Sequence, residues 1–150
     1  MSNEFRHLLR VRYAECDGQQ VVFNGRYVDY IDVAVTEFLR LVWGNYQDLL
    51  STGIDSQVVG LALNWKAPAQ FDDVLAITIS PARIGTTSYT LAVEFYNHHS
   101  SAHLASAEIT YVMVSTGDHQ KMTIPEKMRQ QLTQGAKGIV VDHAGATSPT

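Results

Sequence analysis

Glu15, Cys16 and Asp17 stand in a row ahead of Gly18, and Asn24, six residues past that glycine, opens a segment of helical periodicity. A carboxylate placed just before a helix start meets unpaired backbone N–H groups and the positive end of the helix dipole. Acyl transfer needs those two parts: an activated nucleophile or general base, and donors for a developing oxyanion. Asp17 is therefore a candidate catalytic carboxylate, with the N–H groups around Phe23, Asn24 and Gly25 as candidate donors. An Asp before Gly is also an ordinary turn residue, so the pattern alone leaves both roles open.

The neighbouring groups carry less. Glu15 would point the same way as Asp17 in an extended chain and is expected to be exposed and solvated. Cys16 would point the other way, has no base that sequence can place beside it, and reads as a small buried residue. His98, His99 and His103 lack the i, i+4 presentation of a zinc helix and an adjacent carboxylate, so they read as a solvated turn and no metal site is expected. Arg83, near the Gly85 turn, is a possible phosphate contact. The chain contains no G-x-x-x-x-G-K-[ST], G-x-G-x-x-G or G-x-S-x-G, which leaves nucleotide P-loop, dinucleotide and serine-elbow readings unsupported.

The elements that must position Asp17 follow from period and punctuation. Residues 5–14 alternate Leu9, Val11 and Tyr13 against Arg10 and Arg12, which predicts a half-buried strand ended by the polar loop 15–20. From Asn24, read as an N-cap, Tyr27, Tyr30, Ile31, Ala34, Val35, Phe38, Leu41 and Val42 form one apolar stripe of a helix over 24–43, closing at Gly44. Val33, Leu39 and Trp43 fall outside the stripe, which suggests a helix covered on more than one side. Strands are predicted at 56–66, 73–83, 89–96 and 103–114, with a turn at 84–87. Thr123-Ile124-Pro125-Glu126 has the spacing of a capping box before a helix ending near Leu132, and residues 134–150 shift to a Gly, Ala, Ser and Thr composition expected of a flexible tail. One long helix followed by long antiparallel strands is an α+β order, a strand-wrapped helix whose exposed edge strand offers a pairing surface for a second subunit.

Composition sets the outer limits. At 150 residues, 45% apolar and 17% charged, the chain has the make-up of one folded domain, residues 1–133, that buries roughly two thirds of its unfolded surface. One cysteine excludes an internal disulfide, and a net charge of −4 with scattered Lys and Arg gives no footprint for nucleic acid. No segment is apolar enough for a membrane span or a signal core, so the cytoplasm is the expected compartment.

Arg12-x-x-x-Cys16-Asp17-x-x-x-Val21-Val22-Phe23-x-x-x-Tyr27-x-x-Tyr30, followed by Glu37-Phe38, resembles the hotdog-fold acyl-CoA thioesterases of the 4-hydroxybenzoyl-CoA thioesterase-like branch. Pro68-Ala69-Gln70-Phe71-Asp72-Asp73-Val74-Leu75, Ser88-Tyr89 and Ile124-Pro125-Glu126 resemble the same branch in the same order, so the likeness runs from about Leu8 to Leu132. The resemblance implies a long helix wrapped by an antiparallel sheet, hydrolysis of an acyl-CoA thioester, and dimers or tetramers with sites between subunits. No metal or separate cofactor is implied, since coenzyme A enters as part of the substrate. It further implies that Asp17 is the catalytic carboxylate, as nucleophile or base, and that the Asn24 N–H is an oxyanion donor. Phe23 would lie beside the acyl group, Tyr27 would shape the site, and Ser56, Gln57 and Val58 would contact the thioester end of the ligand.

Three positions depart from the family pattern. Gln20 replaces the usual glycine after the acid, Arg26 replaces a common asparagine, and the basic cluster expected near Gly85, Thr86 and Thr87 is missing, leaving Arg83 as the nearby substitute. Gln20 would narrow the pocket or hydrogen-bond the substrate. These departures raise a second reading, a hotdog dimer that binds an acyl-CoA or acyl-carrier-protein thioester without cleaving it.

Overall fold

The apolar stripe of residues 27–42 and the alternating segments after residue 54 are complementary surfaces, and the chain folds by laying one on the other. The structure is a computed structural model that describes residues 3–146. Its elements are β1 (Phe5–Arg10), a 3₁₀ turn (Tyr13–Glu15), α1 (Arg26–Trp43), α2 (Tyr46–Ser51), β2 (Ile54–Trp65), β3 (Val74–Ile84), β4 (Ser88–Asn97), β5 (His103–Ser115), α3 (Glu126–Gln134) and β6 (Val140–Asp142). The strands form one sheet in the order β2-β5-β4-β3-β1-β6, antiparallel except where β6 runs parallel to β1.

Along α1, Tyr27, Tyr30, Ile31, Ala34, Val35, Phe38 and Val42 are buried, as the helical period requires; Leu41 alone of the expected stripe lies outside, at 45% exposure. The sheet meets them with Tyr89, Leu91, Val93 and Phe95 of β4, Ile77 and Ile79 of β3, and Ile109 and Met113 of β5. Each such side chain contributes roughly 1.5–3 kcal/mol on burial, which makes this interface the main source of stability. Gly44 ends α1 with φ of 93°, a conformation that a Cβ would strain.

Several local expectations are corrected. Gly25, not Asn24, occupies the position before α1, and among the described residues no side chain caps it; the Asn24 carbonyl accepts the Tyr27 N–H at 3.3 Å. The Thr123 capping box does not form, because Pro125 and not Thr123 precedes α3; the Ile124 N–H donates across the fold to the Thr86 carbonyl. β1 stops at Arg10 rather than continuing to residue 14, because Arg12 and Glu15 close a tight turn that throws Tyr13 outward to 79% exposure. Residues 134–146, expected to be a flexible tail, instead build onto the sheet: β6 pairs with β1, and Ala144 and Ala146 cover Leu8, Val74 and Ala76 on the face away from α1. Residues 147–150 lie outside the described residues.

The two long edges of the sheet differ. β6 is three residues long, whereas β2 presents twelve residues with Val58, Val59, Leu61 and Trp65 exposed. Among the described residues no helix is long and apolar enough to cross a membrane.

The β1–β6 junction encloses an acid-sensitive group. His7 is fully buried, its ring edge-on to His143 at 4.7 Å, and among the described residues neither ring nitrogen has a hydrogen-bond partner. Burial, reinforced by His143 and opposed by Glu37 of α1 and Asp142 of β6, pushes its pKa from 6.5 down to about 4. The unfolded chain therefore binds a proton that the folded chain refuses between those values. Stability from this site is complete above pH 6.5, falls as the pH drops, and is lost at about pH 4. Denaturation curves across this range should show a decline of about 2–3 kcal/mol that His7→Leu flattens; an unchanged slope in the variant would contradict the assignment.

Candidate active site

The loop between β1 and α1 closes on itself as a small hairpin. Phe23 N–H donates to the Glu15 carbonyl at 2.9 Å, Cys16 bridges Val22, and Asp17 N–H donates to the Val21 carbonyl at 2.9 Å. Gln20 N–H returns to the Asp17 carbonyl at 2.9 Å, so Asp17 sits at the base of a tight tip. A second tie, Val21 to Gln70 with Val22 N–H on the Ala69 carbonyl at 2.8 Å, fastens the loop to the segment before β3.

Asp17 is exposed. Its Oδ1 accepts the Gln19 N–H at 2.8 Å, while Oδ2 has no protein partner among the described residues. The carboxylate thus fills the turn role and keeps one oxygen open. Arg26 N–H is engaged by the Phe23 carbonyl, but among the described residues the N–H groups of Asn24 and Gly25 donate to nothing in the protein. A side chain at Gly25 would press on the Phe23 ring at 3.1 Å, so glycine permits this close approach. Phe23 itself is 55% exposed beside these donors.

Glu15 overturns its expectation. It is buried at 5% exposure, and its carboxylate accepts from Arg12 N–H at 2.8 Å, from both Nε and Nη2 of Arg12, and from the Tyr30 hydroxyl at 2.8 Å. Burial alone would raise its pKa; the Arg12 and Tyr30 hydrogen bonds outweigh that and hold it below the ordinary carboxylate range. Spacing could have suggested the i, i+3 pair with Arg12, but the Tyr30 contact is tertiary. Cys16 is half-buried, and burial followed by Glu15, Asp17 and Asp73 pushes its thiol pKa up, away from nucleophile character.

The remaining candidates divide. Tyr27 is a core residue, 2% exposed and packed edge-on to Phe95 and Trp65, so it supports the site from beneath rather than facing it. Ser56 and Val58 line a cavity of about 340 Å³ along the open side of α1, together with Asp32, Leu39, Trp43 and Tyr111. Gln57, pairing with Val112, points to the opposite face of the sheet and does not line it. Arg83 contacts Glu108 at 3.9 Å and Thr90 at 3.3 Å, roughly 30 Å along β3 from the end that meets the Asp17 loop. His103, expected to lack an acid, lies 3.4 Å from Glu94 on the neighbouring strand, yet among the described residues no group of three or more His, Cys, Asp or Glu is placed to hold a metal.

A long helix clasped along one face of an antiparallel sheet, with a carboxylate loop feeding its N-terminus, is the hotdog fold. The chain belongs to the Thioesterase superfamily, whose profile matches residues 19–102, beginning two residues past Asp17. It is 27% identical over 130 residues to the acyl-CoA thioester hydrolase YbgC of Escherichia coli O6:H1, covering 87% of this chain and 96% of that protein. It is 25% identical over 129 residues to the long-chain acyl-CoA thioesterase FadM of E. coli K12, covering 86% and 97%. A thioesterase superfamily structure from Jannaschia sp. CCS1 superposes with a TM-score of 0.81 at 21% identity, covering 88% of this chain and 92% of that one.

Gln20, the residue in the usual glycine position, has φ of 66°, the left-handed region. The loop geometry that suits glycine is retained while the side chain is not, so the turn stores strain. Gln20→Gly should raise stability by about 0.5–1 kcal/mol, the left-handed penalty less the added freedom of the unfolded chain. Urea denaturation of the two proteins measures this, and a loss of stability would show that the Gln20 side chain holds the loop.

Proposed function

We propose that the protein hydrolyses acyl-coenzyme A thioesters, R–CO–S–CoA plus water giving R–COOH and HS–CoA. The observation that carries the reading is the open Oδ2 of Asp17 on the same short loop as the unengaged N–H groups of Asn24 and Gly25. Membership of the Thioesterase superfamily and relatives named as acyl-CoA thioester hydrolases support it. Asp17 takes a proton from water, the hydroxide adds to the thioester carbon, and the Asn24 N–H receives the oxyanion. Collapse breaks the C–S bond, and the leaving thiolate takes the proton that Asp17 removed from water, which restores the carboxylate. As a nucleophile instead, Asp17 would use the same oxygen to form an anhydride that water then opens. Coenzyme A is part of the substrate, no metal enters the scheme, and the cytoplasm is the proposed compartment.

The working unit is a homodimer. Tyr27, beneath the Asp17 loop, packs on Trp65 at the end of β2, while Ser56 and Val58 lie near its start, roughly 30 Å away in the same chain. Antiparallel pairing of two β2 edges about their middle sets the start of one strand beside the end of the other. The cavity and Ser56, Gln57 and Val58 of one chain then adjoin Asp17, Gln20 and Phe23 of its partner, and Arg83 reaches a ligand only from a second chain.

Two experiments test this. On acetyl-, hexanoyl-, palmitoyl- and benzoyl-CoA, Asp17→Asn should lower kcat/KM by roughly 10²–10⁴ on every substrate that the wild type turns over; equal rates reject the mechanism. Sedimentation should find a dimer or larger assembly for the wild type, and a slower monomer with at least ~10-fold lower activity for Val59→Lys combined with Leu61→Lys.

A further inference from the structure

We infer that Glu15 is the positioning residue of the site, fixing the Asp17 loop against α1 through its buried carboxylate; this rests on the hydrolase reading above. Three bodies meet at this one residue, two at its carboxylate and one at its backbone carbonyl. Arg12, two residues past the end of β1, donates to it through its backbone N–H and its guanidinium at 2.6–2.9 Å. Tyr30, one turn into α1 and 3% exposed, donates its hydroxyl at 2.8 Å. The Glu15 carbonyl accepts the N–H of Phe23, the residue before Asn24, at 2.9 Å.

The asymmetry of the ion pair identifies which partner the fold is arranged around. The Arg12 side chain is 80% exposed and that of Glu15 only 7%, so the pair is not a core plug. The acid has been taken out of water, at a cost, so that it can accept from both sides of the loop at once. Two residues on in one direction is Asp17. One hydrogen bond away in the other is the segment carrying the free Asn24 and Gly25 N–H groups. Glu15 touches no reacting atom, yet it sets the separation between base and oxyanion donors, and a misplacement of about 1 Å in such a pair costs on the order of 10² in rate.

Glu15→Gln keeps the shape and removes the charge, and Tyr30→Phe removes one anchor without altering the loop sequence. Each is assayed on a thioester from the panel that the wild type hydrolyses, beside Asp17→Asn, at a temperature where its own melting curve shows it folded. Positioning predicts that Glu15→Gln lowers kcat by ~10–100-fold with KM within ~3-fold, and that Tyr30→Phe shifts kcat in the same sense by less. A fold-only role predicts losses that vanish once the temperature is well below the melting midpoint. That result, or kcat within twofold of wild type in both variants beside an inactive Asp17→Asn, overturns the positioning role and leaves the hydrolase reading intact. An Asp17→Asn protein as active as wild type overturns both.

Discussion

Burial of one stripe of α1 in the curve of the sheet is the constraint on which the rest of this molecule depends. Tyr27, Ile31, Ala34, Val35 and Phe38 need a concave apolar surface along most of the helix, and only long strands carrying Tyr89, Leu91, Val93 and Phe95 in alternation supply one. Once the helix is so held, its N-terminus falls where the chain arrives from β1. The loop 11–25 must then join two fixed points, and its internal hydrogen bonds follow from that short span. The site is a consequence of the packing, placed at the one end of the helix where backbone donors are free.

Packing explains equally well why some of the molecule could be read in advance and some could not. The helix stripe and the phases of β2 to β5 are encoded in local periodicity, so they were visible in the order of residues. The approach of a polar loop carrying Asp17 to a helix start was legible because helix starts have a local signature, whereas the residue that begins the helix, Gly25 and not Asn24, was not. Glu15 was misjudged because its partner Tyr30 is fifteen residues away, and a carboxylate's burial depends on tertiary neighbours that spacing does not reveal. The segment after residue 134 looked loose by composition, yet small residues such as Ala144 and Ala146 suit the shallow surface over Leu8 and Ala76. The Thr123 capping box satisfied a pattern, but the helix begins only at Glu126, so Pro125 and not Thr123 holds the cap position.

The loop concentrates the costs that the core offsets. It holds a residue other than glycine in the left-handed region, a buried acid, an exposed aromatic ring and two backbone donors without partners among the described residues. Each is unfavourable taken singly, and their gathering in one loop of fifteen residues marks this loop as a part of the chain shaped by something other than stability.

The unequal ends of the sheet carry a consequence for assembly. At one end, the chain's own β6 lies over β1, three residues long and followed by the turn of Ala144 over the outer face, which makes a poor template for another strand. At the other, β2 is long and open. A sheet with one adhesive end and one blunt end can join a single copy of itself and then has nothing left to offer. If two copies pair through β2, growth by strand addition would stop there, because the segment after α3 already covers the β1 edge that a ribbon would need.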